Sequence, residues 1–220
     1  MSPVTVFLRT LAKSSAIFLG AGYIFLNPSL DWRTPRSVTA QRSATEAAVD
    51  ALAAALKDTD AGVRGQAAFA LGQLRSPRSV PALIEALDDE NADVRVRAIS
   101  ALGEIRDTRA TAPVASALKD AVPGVRARAA STLGELRDPA AVDALIGAIR
   151  DASTDVRRQV VRALGEIRDS RGIAPLTQAL KDEDASVRRH AVIALAEISD
   201  APGNVSWRRP NPRPVIAGGR

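Results

Sequence analysis

Five aspartates, Asp58, Asp89, Asp120, Asp151 and Asp182, are each followed six positions later by an arginine: Arg64, Arg95, Arg126, Arg157 and Arg188. A carboxylate near a guanidinium suits two kinds of chemistry, a general acid beside a cationic clamp or a charge-assisted structural bond. The pairs recur every 31 residues, and the structural reading fits that regularity. Each Asp then sits at a turn and each Arg in the first turn of the next helix. Stacked units would set the pairs in a ladder, where a carboxylate meets arginines of its own and the neighbouring unit.

Other chemistry is sparse. Cysteine is absent, so disulfides, thiol catalysis and cysteine-ligated metals are excluded. His190 is the only histidine, which rules out a multi-histidine metal site and reads as a surface residue. No Walker loop, nucleotide-binding glycine fingerprint, nucleophile elbow or metal-spaced cluster occurs. The array is expected to be no enzyme and to need no cofactor or metal.

The elements that position these residues follow from the repeat. Val63-Arg64, Val94-Arg95, Val125-Arg126, Val156-Arg157 and Val187-Arg188 each open a run ending in a shared hexad, such as Leu102-Gly-Glu-Ile-Arg-Asp107. In the second unit a first helix is predicted over about 80–87, with Val80, Leu83, Ile84 and Leu87 on one face. Pro81 falls in its first turn, where a missing N–H costs nothing, as do Pro113 and Pro175 later. A polar break over 88–93 precedes a second helix to Ile105, with Val94, Ala98, Ala101, Leu102 and Ile105 as its apolar stripe. No strand pattern occurs. Phe69 is the one aromatic between Trp32 and Trp207, so Ala, Leu, Ile and Val build the core, which favours close-packed helices.

The unit L-x-D-x-x-x-x-V-R-x-x-A-x-x-A-L-G-E-I resembles the short HEAT-like repeats first described in phycobilisome lyases. The resemblance covers 46–200 and implies an all-α, right-handed α-solenoid of five 31-residue HEAT-like helix pairs. In similar repeats the Asp and Arg positions form the ladder. The resemblance also makes some activities testable. Deoxyhypusine hydroxylases carry His-Glu pairs straight after V-R; here those positions are Gly65-Gln66, Val96-Arg97, Ala127-Arg128, Arg158-Gln159 and Arg189-His190, so that activity is excluded. HEAT-like DNA glycosylases need aromatics and a cationic groove. The 46–200 segment has net charge −3 and no tryptophan, which argues against them and against specific nucleic-acid binding.

The hexad glycines Gly72, Gly103, Gly134 and Gly165 cost about 1 kcal/mol each in a helix, so close approach of a neighbouring helix is expected to offset them. Ala196 takes the place in the fifth unit and Thr177 replaces Ala53, Ile84, Ala115 and Ile146 in the first-helix column, both consistent with a terminal cap. Val192 and Ile193 leave that cap incomplete. Val205, Trp207, Val215 or Ile216 of the tail, a partner, or self-association at the C-terminal end would cover it.

Function is expected where the columns vary. In HEAT-like arrays the second helix usually lines the concave side. That places Arg97, Arg128, Arg158, Arg162, Arg189 and His190 beside Glu104, Glu135 and Glu166, a face suited to an acidic or mixed-charge protein segment. A solvated face with pairs such as Arg162 and Glu166 is the plainer alternative.

The ends differ in kind. Residues 1–45 and 201–220 each carry net charge +4. The first holds Arg9 and Lys13, then an apolar run over 16–26, the order of a secretory signal or anchor, with Val38-Thr39-Ala40 as a candidate cleavage site. The last is a basic Pro/Gly-rich tail. The expectation is an exported or membrane-tethered scaffold or adaptor with a protein partner. The alternatives are a cytoplasmic location, a bilin lyase-related pigment-attachment subunit or chaperone, and anionic-surface or nucleic-acid binding through the tails.

Overall fold

A computed structural model describes residues 35–199. The apolar run 16–26 and the tail residues Val205, Trp207, Val215 and Ile216 lie outside the described residues. The chain divides into two compact units, 1–48 and 49–220. Among the described residues there is no strand, and no helix is long and apolar enough to cross a membrane.

Ten α-helices follow one another among the described residues: α1 Pro35–Ala55, α2 Ala61–Leu74, α3 Val80–Glu85, α4 Ala92–Ile105, α5 Thr111–Ser116, α6 Pro123–Leu136, α7 Val142–Ala148, α8 Thr154–Ile167, α9 Ile173–Ala179 and α10 Ala185–Ser199. Helix α1 begins eleven residues before the expected start of the array, with Pro35 at a position where its fixed φ suits a helix start. Val38, Thr39 and Ala40 lie within it.

The first helices are shorter than their apolar pattern predicts. In the second unit a 3-10 turn over Pro77–Ser79 leads into α3, and a second over Ala86–Asp88 ends it. The same sequence of turns recurs around α5. The second helices are longer and regular. Two of their starts are fixed by Asp60, whose side chain accepts from the Val63 N–H, and by Asn91, which accepts from the Asp93 and Val94 N–H groups.

Their ends are unusual. Arg75, Arg106, Arg137 and Arg168 terminate α2, α4, α6 and α8 in the left-handed region, at φ +49° to +60°. Glycine normally takes this place. Only two residues link each second helix to the following 3-10 turn, so the chain must reverse within one residue. A positive charge there is also favoured by the negative end of the helix dipole.

The core is a column structure. Leu71, Leu102, Leu133 and Leu164 of the second helices meet Leu83, Val114, Leu145 and Leu176 of the first, all fully buried. Burying each such side chain contributes roughly 1.5–3 kcal/mol. Second helices of successive units pack directly on one another, which the glycines permit. A Cβ on Gly72 would lie 2.9 Å from the Ala101 Cα, and one on Gly165 would lie 2.8 Å from the Ala194 Cα.

Candidate functional site

The ladder is built across units. Arg64 donates through Nε and Nη2 to both carboxylate oxygens of Asp89, at 2.6 and 2.9 Å. Arg95 holds Asp120 in the same way, Arg126 holds Asp151, and Arg157 holds Asp182. Within its own unit each arginine turns Nη1 instead to main-chain oxygens, as Arg126 does to Asp120 O at 2.8 Å and Ala121 O at 3.2 Å. The contact with the neighbouring unit is the one expected, whereas the arginine six positions on, also expected to meet the carboxylate, meets main-chain oxygens instead. The Asp58, Asp89, Asp120, Asp151 and Asp182 carboxylates accept the N–H two residues later, which closes the turn and aims the free edge at the preceding unit.

The charges show the effect. The Arg64 fork holds the Asp89 carboxyl below its usual range, and Arg126 does the same to Asp151. At Asp120 and Asp182 burial pulls upward and is overcome by the arginine fork, the turn N–H and the nearby positive charge.

A smaller set of ion pairs on the first-helix side carries no expectation from the sequence reading. Arg109 folds onto Asp107 and reaches Pro77 O at 3.0 Å, and Arg171 joins Asp169, Asp143 and Pro139 O. The signal for both is the D-x-R spacing after the hexad, 62 residues apart.

The variable columns of the second helices form stripes along the array. At the helix starts, Arg97, Arg128 and Arg189 are exposed and make no ion pair with a described residue. Arg158 and Arg162 differ from them. Arg158 pairs with Asp155 at 2.8 Å, while Arg162 pairs with Glu166 at 3.1 Å and donates to Ser131 Oγ of the preceding unit at 3.3 Å. His190 faces Ser186 O through Nδ1 at 2.8 Å.

The glutamates lie over the glycine line. A Cβ on Gly103 would meet Glu135 Oε2 at 2.9 Å, and one on Gly165 would meet Glu197 Oε2 at 2.7 Å. Gln73 begins this row and donates to Glu104 Oε2 at 3.3 Å. Burial pushes the Glu166 carboxyl up; Arg162 and Arg137 oppose the shift, and Glu135 and Glu197 add to it. A basic stripe, a mixed stripe and an acidic stripe therefore run side by side across the units.

On the other side, a groove of about 650 Å³ opens between the first helices of the third and fourth units. Ala112, Ala115, Ala144 and Gly147 line it, with Lys119 and Arg150 at the rim and no aromatic side chain. Among the described residues no group of three or more His, Cys, Asp or Glu side chains could hold a metal ion.

Stacked two-helix units, locked at each joint by an arginine fork on the next unit's aspartate, define an α-solenoid repeat protein. The chain belongs to the HEAT repeats family, which matches residues 36–95, 80–156 and 146–206. It is similar to a chain of the complex of CpcE and CpcF of phycocyanin lyase from Nostoc sp. PCC7120, with 26% identity and a TM-score of 0.63. That match covers 71% of this chain and 66% of the other, just under two thirds of its length. YibA of Escherichia coli matches with 22% identity and a TM-score of 0.57, over 76% of this chain and 67% of that one. A designed armadillo repeat protein matches with 16% identity and a TM-score of 0.54, over 76% and 95%. These two likenesses concern the fold alone. A comparison with curated proteins finds no match.

Proposed function

We propose that the protein is a non-catalytic scaffold that binds an acidic or mixed-charge protein segment along the second-helix face. The observation that carries this is the set of exposed arginines without an acid partner among the described residues, Arg97 and Arg128 on neighbouring units and Arg189 on the fifth, beside the glutamate row. Arg97 and Arg128 hold the same position on successive second helices, Arg189 holds the adjacent position two units further on, and guanidinium groups left unneutralised on rigid helices suit bidentate grip of carboxylates. At roughly 8–10 Å between packed helices, Arg97 and Arg128 match carboxylates about three residues apart on an extended chain. The expected location is extracytoplasmic, exported or tethered, on the strength of the charge-then-apolar order in 1–40.

The test is a cross-linked pull-down with the full chain beside a variant carrying Arg97→Ser, Arg128→Ser and Arg189→Ser, both showing the same helical spectrum. A partner captured by the first and lost by the second, with Arg158→Ser retaining it, supports the proposal. Equal capture by both overturns it.

The CpcE–CpcF likeness favours a second reading, a subunit or chaperone of a pigment-attachment system. The groove between the third and fourth units is large enough for a small molecule but lacks aromatic walls. Visible absorbance of a co-purified tetrapyrrole would support this reading, and a colourless protein that leaves added bilin spectra unchanged would refute it.

A further inference from the structure

We infer that the two ends of the array are complementary halves of one more unit-to-unit joint, so that the protein associates head-to-tail with a second copy of itself. The inference stands apart from the partner-binding face.

Each internal joint has three parts, and each part is left open at one end of the array or at both. The first is an apolar column on the C-terminal side of the second helix. Ala68, Ile99, Ala130 and Val161 occupy it fully buried, whereas Val192 is 60% exposed. Ile193, paired with it in the sequence reading, belongs to a different column, that of the exposed Phe69 and Arg162. The second part is the column that the next unit brings. Val94, Val125, Val156 and Val187 are buried there, whereas Val63 of the first unit is 42% exposed.

The third part is the ladder. Arg188 spends Nη1 on Asp182 O and Glu183 O, at 2.6 and 2.8 Å, as its counterparts do. Its Nε and Nη2 meet no carboxylate among the described residues, although the same atoms of Arg64, Arg95, Arg126 and Arg157 each grip an aspartate. At the other end, Asp58 closes its turn on the Asp60 N–H at 2.8 Å, and no described arginine reaches its carboxylate. One end offers an open fork beside an exposed valine. The other offers an unclaimed carboxylate beside an exposed valine, in the register that four internal joints already use.

This surface is heterologous, so copies add in one direction and form open chains unless the rotation closes them. Ala196 stands where the internal joints have glycine, and the matching Cβ at Gly165 would lie 2.8 Å from the Ala194 backbone. The joint between copies is therefore looser than the internal ones, and association is concentration-dependent.

Sedimentation of the full chain from a few micromolar to several hundred micromolar tests this. The average mass should rise above 23.1 kDa with concentration. Val192→Glu or Asp58→Arg alone should hold it at the monomer, each with an unchanged helical spectrum. Arg188→Asp should also dissociate it, and an equimolar mixture of the Asp58→Arg and Arg188→Asp chains should recover association. A monomer at every concentration overturns the inference, including the case where residues 200–220 or another protein cover the end. Self-association that survives both Val192→Glu and Asp58→Arg also overturns it, and a two-fold contact through the C-terminal end alone would show as survival of Asp58→Arg.

Discussion

The guanidinium of Arg126 holds both oxygens of the Asp151 carboxylate, at 2.7 and 2.8 Å, from the neighbouring unit and 25 residues away in sequence. Its remaining nitrogen caps two main-chain carbonyls of its own unit. One side chain thus closes a turn and joins two units, which ties local and long-range order to the same atoms.

Arg126→Ala removes this joint and leaves the Asp151 carboxylate without its cation. A loss of about 2–3 kcal/mol is expected, or a fall in melting temperature of roughly 4–12 °C for a protein of this size. Thermal denaturation followed by circular dichroism checks it, and an unchanged midpoint would refute the assignment.

Acid should loosen the array from the same joints. The carboxyls of Asp89, Asp120, Asp151 and Asp182 titrate below their ordinary range in the folded chain. Their contribution is present above the unfolded aspartate value of about 3.9 and is lost as pH falls through the lowered folded values. Denaturant midpoints should be level near neutrality and drop below about pH 4, with the gap between wild type and Arg126→Ala narrowing in the same window.

Glu166 predicts the opposite sign. Burial raises its folded carboxyl above the unfolded value, so its contribution is favourable only when protonated and is lost as pH rises through the folded value. Glu166→Gln should therefore stabilise the protein at pH 7, with the advantage vanishing in acid. A variant that is less stable than wild type at neutral pH would contradict this.

Two glycines separate packing from propensity. A Cβ at Gly134 would lie 2.9 Å from the Ala163 Cα, a backbone atom that cannot give way alone. Gly134→Ala should destabilise the array despite the gain in helix propensity. At Gly147 nothing lies within 4 Å of an added Cβ, so Gly147→Ala should stabilise α7 by about 0.5–1 kcal/mol. Melting temperatures moving in opposite directions are the expected result.

Much of this architecture is legible in the residues. The 31-residue period, the two helices of each unit, the buried leucine column and the close approach at the hexad glycines all follow from spacing and residue type. The candidate face is legible only in part. Its six basic side chains fall in three neighbouring columns of the second-helix face by helical periodicity, yet Arg158 and Arg162 are neutralised by Asp155 and Glu166 while Arg97, Arg128 and Arg189 are not. Whether a long side chain finds an acid depends on its rotamer and its neighbours across the joint, which a period does not encode.

The repeat by itself determined what each unit is: periodicity places a residue at an angle on its own helix, and that angle decides whether it faces the unit's core. Tertiary structure decided how the units meet. It sent each arginine fork to the following aspartate and gave the near one only a main-chain contact. It also turned Arg75, Arg106, Arg137 and Arg168 into the left-handed region to close two-residue links. Equivalent residues have opposite fates at the ends, with Val161 buried and Val192 exposed, because burial belongs to the pair of packed surfaces and the terminal units each have only one.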